Sequence, residues 1–90
     1  MIVRWPGVVK AGAVANQYVI AEDLFPTILD MAGIRNYKTR QTIDGRTFLP
    51  VLKDADYKDD ERALIWHIPN KWQPEDGPGI NYKSAIRQGD

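Results

Sequence analysis

Two indoles, an imidazole, an amide and an ammonium stand within seven positions, Trp66-His67-Ile68-Pro69-Asn70-Lys71-Trp72. That mixture suits a polar, anionic or sugar ligand, because indoles pack on sugar faces while an imidazole and an ammonium meet negative charge. His67, Asn70, Lys71 and Trp72 are therefore the candidate ligand-binding residues. Each has a plainer use as well. Alternation along a strand sets Trp66 and His67 on opposite faces, and a large indole in such a run is more often packed than exposed, so Trp66 is expected in the core.

Other chemistry is thinner. His67 is the sole imidazole and Ser84 the sole serine, and no G-x-S-x-G elbow frames Ser84, which reads as an ordinary strand residue rather than a nucleophile. Asp54, Asp56, Asp59 and Asp60 lack the turn glycine and the distal bidentate glutamate of a calcium loop, and read as a solvated charge run. In Gly77-Pro78-Gly79 the proline removes one of the amides that a phosphate cradle uses, and no G-K-[ST] follows. Without cysteine there is no disulfide, thiolate zinc site or Fe–S cluster.

The elements that must position these residues follow from local pattern. Ile2-Val3-Arg4-Trp5 predicts a strand ended by the Pro6-Gly7 turn. Asp23 is placed to cap a helix over 23–32, with Leu24, Ile28 and Met31 on one apolar face, Phe25, Leu29 and Ala32 beside it, and Thr27 and Asp30 outward. Gly33 supplies a left-handed stop, with Ile34 folding back on Leu29. After the Asp44-Gly45 turn, Thr47 can cap one or two helical turns that contain Pro50. The charged stretch 53–62 cannot gain from burial and reads as an exposed linker. Strands are predicted at 63–68 and 82–87, separated by a Pro- and Gly-rich loop. A strand that begins at the first residue and turn chemistry at Gln88-Gly89-Asp90 both suggest cut edges within a larger protein.

Composition narrows the partners. Twelve Lys+Arg balance 12 Asp+Glu in 90 residues, which removes the broad basic field of a nucleic-acid binder. No apolar run approaches the roughly 18 residues of a membrane span. Neither nucleic acid nor membrane is an expected partner.

Three ordered motifs carry a family resemblance: Ile2-Val3-Arg4-Trp5-Pro6-Gly7, the run from Asp23 through Pro26 and Thr27 to Gly33, and the run from Ile43-Asp44-Gly45-Arg46-Thr47 to Leu52. With Arg62 to His67 and the run from Ser84 to Asp90, they resemble the later part of sulfatases of the arylsulfatase type. The resemblance implies an α/β fold, a fragment of an alkaline-phosphatase-like sandwich with strand 2–5 and helix 23–32, running into an antiparallel C-terminal subdomain. Residues 1–52 would then close the large domain, 53–62 link, and 63–90 begin the smaller subdomain. Members of that family hydrolyse sulfate esters with a formylglycine, made from the Cys or Ser of C/S-x-P-x-R, and a calcium or magnesium ion. No cofactor is expected in this segment. Ser84 is followed by Ala85, Ile86, Arg87 and Gln88, which is not that motif. The implied metal-binding aspartates and sulfate-contacting Lys and His lie upstream of the resembling segment. The chain is thus expected to be inactive alone, to need the remainder of a sulfatase as its partner, and to supply scaffold plus one wall of a cleft for a sulfated carbohydrate or aryl sulfate. For the family, a periplasmic, extracellular or lysosomal setting would be usual. The competing expectation is a free-standing, non-catalytic module that binds a glycan or a protein through its aromatic loop.

Overall fold

The computed structural model of the chain describes residues 1–73, 79 and 81–89. They fall into two compact units, Met1–Lys58 and Asp59–Asp90.

In the first unit, a 3₁₀ turn over Ala21–Asp23 runs into helix α1, Leu24–Met31, and a second short helix, α2, spans Leu49–Lys53. The end of α1 is as predicted. Gly33 takes φ +74, its N–H bonds Asp30 O at 3.0 Å, and the Ile34 N–H reaches Leu29 O at 2.9 Å. That pair of bonds is a Schellman closure, which needs a residue without Cβ at the left-handed position. At the start of α2 the N-cap residue is Phe48 and not Thr47; from one position earlier the Thr47 hydroxyl accepts the Leu49 N–H at 3.2 Å.

Three further expectations are corrected here. Asp23 does not cap α1. The 3₁₀ turn puts it already inside helical geometry, at φ -73 and ψ -19, so its carboxylate reaches backwards and sideways instead. Oδ2 accepts the Ile20 N–H at 3.0 Å and Oδ1 accepts the Arg46 N–H at 2.9 Å. Secondly, the faces of α1 are exchanged. Thr27, expected outward, is buried, whereas Leu24, Phe25, Ile28 and Met31 are exposed. The reason is hydrogen bonding: the Thr27 hydroxyl donates to Asp23 O at 2.6 Å and accepts the Phe48 N–H at 3.0 Å. Thirdly, Ile2–Trp5 form no strand. A strand exists only against a ladder partner, and the described residues of this unit contain no other strand.

The bracket built on Asp23 and Thr27 organises the unit. Their side chains take the main-chain amides of Arg46 and Phe48, two residues apart on an extended segment, as a neighbouring strand's carbonyls would. Phe48 is the buried apolar side chain beneath it. Gly45 makes the approach possible, because a Cβ at that position would strike the Glu22 carbonyl and lie 2.9 Å from the Asp23 nitrogen.

The second unit is a two-stranded antiparallel sheet of β1, Ala63–Ile68, and β2, Lys83–Gln88. The predicted strands are present, with β2 shifted by one residue. The register pairs Ile65 with Ile86, Trp66 with Ala85, and His67 with Ser84. Leu64 is buried. The Gln88 side chain donates to Glu61 O at 3.1 Å, tying the end of β2 to the chain that enters β1.

Candidate functional site

The penultimate position of β1 carries His67, and Asn70, Lys71 and Trp72 follow beyond the strand's end, all four exposed. β-branched and apolar residues make 63–68 a strand, and Pro69, which lacks an N–H, ends the ladder where the polar residues begin. Gly79 lies against Trp72, since a Cβ there would approach the Trp72 carbonyl to 2.7 Å. Gly77 and Pro78, the centre of the rejected phosphate loop, lie outside the described residues.

His67 and Ser84 are brought together. Facing each other across the ladder, they place Nδ1 and Oγ 2.8 Å apart. The sequence shows both residues and both strands but not the register, without which Ser84 reads as an ordinary strand residue. The signal available was the antiparallel pairing itself, because directly opposed residues share a face. A nucleophilic Ser/His pair needs more than this contact: a group that orients the imidazole from its other nitrogen, and donors for an oxyanion. No such third member bonds His67 among the described residues.

Asn70, Lys71 and Trp72 are not joined to His67 by any hydrogen bond or ion pair among the described residues. Trp66 lies on the opposite face of the sheet from His67, as alternation requires, but it is 44% exposed rather than packed in a core. Two strands provide no second layer to cover it. The other face is similarly open, with Ile65 64% and Ile86 69% exposed beside the His67–Ser84 pair.

The acidic run does not gather. Asp54 Oδ1 accepts the Asp56 N–H at 3.0 Å in a local turn. Among the described residues no group of three or more His, Cys, Asp or Glu stands in metal-ligating reach. The sequence contains no C/S-x-P-x-R to yield formylglycine. No helix among the described residues is long and apolar enough to cross a membrane.

The described residues thus present a helix beside a buried, hydrogen-bonded carboxylate and a two-stranded antiparallel sheet with an exposed polar end. Residues 1–77 match the family described as "N-sulphoglucosamine sulphohydrolase, C-terminal", and the chain belongs to that family. Among curated proteins it is 32% identical to human steryl-sulfatase over 85 residues, covering 88% of this chain and 14% of that protein. It is 46% identical to bovine N-acetylglucosamine-6-sulfatase over 55 residues, which is 61% of this chain and 9% of that protein. To the ulvan-active sulfatase of Formosa agariphila it is 38% identical over 55 residues, 61% of this chain and 10% of that protein. The chain thus spans between 9% and 14% of the length of these relatives.

Proposed function

We propose that these ninety residues serve as C-terminal scaffold and one cleft wall of a sulfuric ester hydrolase acting on a sulfated carbohydrate or an aryl sulfate. The observation that carries the reading is the family match, which spans residues 1–77, a range that includes His67, Asn70, Lys71 and Trp72. In that cleft wall the indole of Trp72 would pack on a sugar or aryl ring, Asn70 would bond hydroxyls, and His67 and Lys71 would meet the anionic sulfate. All four lie where the rigid ladder gives way to a loop, a usual arrangement for binding groups.

The segment by itself is inactive in this reading. Sulfate-ester hydrolysis needs a strong nucleophile and a hard cation at the ester oxygens, and the residues to supply either come from the remainder of a longer sulfatase chain. Within that chain, unit 1 would belong to an alkaline-phosphatase-like α/β sandwich. The exposed apolar face of α1, with Phe25 at 50% and Ile28 at 60% exposure, is the surface the remainder would cover. Burying it would contribute about 25 cal/mol for each Å² of apolar area removed from water.

Assay of 4-nitrophenyl sulfate by the isolated chain and by the longer polypeptide that carries it tests the reading. Turnover is expected only from the longer one, with His67→Ala raising its KM. Turnover by the isolated ninety residues above blank overturns the inactivity. An unchanged kcat/KM in His67→Ala removes His67 from the cleft.

A further inference from the structure

We propose that the loop after α1, residues 34–42, is a docking surface for a sulfated polysaccharide, with Arg35, Lys38 and Arg40 meeting successive sulfate groups along the sugar chain. The inference rests on the reading of a parent enzyme for sulfated carbohydrate, and it adds a surface that this reading does not contain.

Charge is the first observation. Cations and acids balance over the whole sequence, yet residues 32–43 hold three cations and no acid. Arg35, Lys38 and Arg40 are all exposed, and none makes a hydrogen bond or ion pair among the described residues. Glu22 and Asp44 line one hollow with Arg40 but do not pair with it. Unpartnered Lys and Arg gain nothing from being covered by apolar surface, so what faces them is water or an anion. Order is the second observation. The loop leaves α1 through the Gly33 and Ile34 bonds to Asp30 and Leu29. In its middle the Tyr37 ring meets Phe25 of α1 edge-on, with centroids 5.9 Å apart, and the Thr39 hydroxyl donates to Gln41 O at 2.7 Å. Beyond its far end the Arg46 and Phe48 amides are held by Asp23 and Thr27. A loop pinned in this way loses less freedom when a ligand engages its charges.

The ligand class follows from the kind and placing of the charges. Each guanidinium offers paired N–H donors to the oxygens of a sulfate group, and the ammonium offers a point charge. Positions 35, 38 and 40 lie outside any helix, where helical turns would stack such spacings on one face, so the three charges follow one another along the backbone. A linear polyanion meets such a row group by group and gains by releasing its condensed counterions, whereas a single sulfate ester engages it only in part. Nucleic acid is the poorer match, because a chain of zero net charge supplies no broad basic field around the loop.

The test uses the full-length sulfatase chain that carries this segment, with heparin as the probe, titrated at several NaCl concentrations. Arg35→Ala, Lys38→Ala and Arg40→Ala together are expected to raise the heparin Kd about tenfold or more and to reduce the slope of log Kd against log NaCl by about 2 to 3. Lys38→Ala alone, the least disturbing change, should reduce that slope by about 1. Arg35→Lys with Arg40→Lys keeps the charge and should keep most of the slope. A control triple, Lys10→Ala with Lys53→Ala and Lys58→Ala, removes the same charge from exposed positions elsewhere in unit 1 and should change Kd by less than about twofold. An unchanged Kd and slope in the loop variants overturns the inference, and so does an equal loss in the control triple. Binding of double-stranded DNA or of phosphatidylserine vesicles as tight as that of heparin, and lost in the same loop triple, overturns the polysaccharide assignment. Binding is read without turnover, so a parent chain that hydrolyses no sulfate ester refutes the enzymatic reading while the heparin titration still decides the surface.

Discussion

The two units hold themselves by opposite means. In Met1–Lys58, side chains do the work of a ladder: Asp23 and Thr27, both buried, take the main-chain amides of Ile20, Arg46 and Phe48. In Asp59–Asp90, the ladder of β1 and β2 takes the amides, and its side chains are left largely exposed. The difference separates structural polar groups from chemical ones. A buried carboxylate fully engaged with backbone donors has little capacity left for a ligand, whereas an exposed imidazole with one nitrogen bonded retains the other. Polar residue type alone does not distinguish these uses, and burial does.

Substitutions can break this contrast, beginning with the bracket. Asp23→Ala leaves the part-buried amides of Ile20 and Arg46 without their acceptor, and the cost is expected to be about 2 kcal/mol. Amide exchange at Arg46 and Phe48 should accelerate while exchange in the β1–β2 ladder stays as it was. Acceleration in both units would show that the bracket supports more than its own unit. Gly45→Ala comes next, because the new Cβ meets Glu22 backbone that cannot rotate away; about 2 kcal/mol is expected, read by chemical denaturation. Gly33→Ala should cost about 1 kcal/mol, the strain of a left-handed residue with a Cβ, in the same experiment. Smallest is Ser84→Ala, expected to change stability by less than about 0.5 kcal/mol as a surface substitution. A loss well above that in a denaturant melt would make the His67–Ser84 contact structural and align the second unit with the first.

Much of this was legible in sequence because it rests on short-range rules. The Schellman end at Gly33 and Ile34, the short helix around Pro50 and the two strands each depend on neighbours within a few positions. The misread elements are those that depend on distant partners. Asp23 looked like a cap because a carboxylate before an apolar run usually is one, but its actual acceptor role spans 23 residues to Arg46. Thr27 looked outward because its neighbours are apolar, yet its hydroxyl has a buried amide 21 residues away. Of the candidate site, His67, Asn70, Lys71 and Trp72 were visible as residue types at a strand exit, and Ser84 was visible without its partner. Register joins Ser84 to His67, and a hairpin's register across an intervening loop of this length is not encoded in turn type alone.

The amino-acid order by itself determined the family, the two helices, the paired strands β1 and β2 and the absence of a cysteine or a C/S-x-P-x-R nucleophile motif, since each is a local pattern or a composition, whereas the strand expected at Ile2–Trp5 is not formed. Which face of α1 is buried, what Asp23 bonds and which residue meets His67 were decided only by the tertiary structure. The physical reason is that a hydrogen bond is satisfied by whatever group lies within about 3 Å, and only the folded chain brings residues some twenty positions apart within that distance.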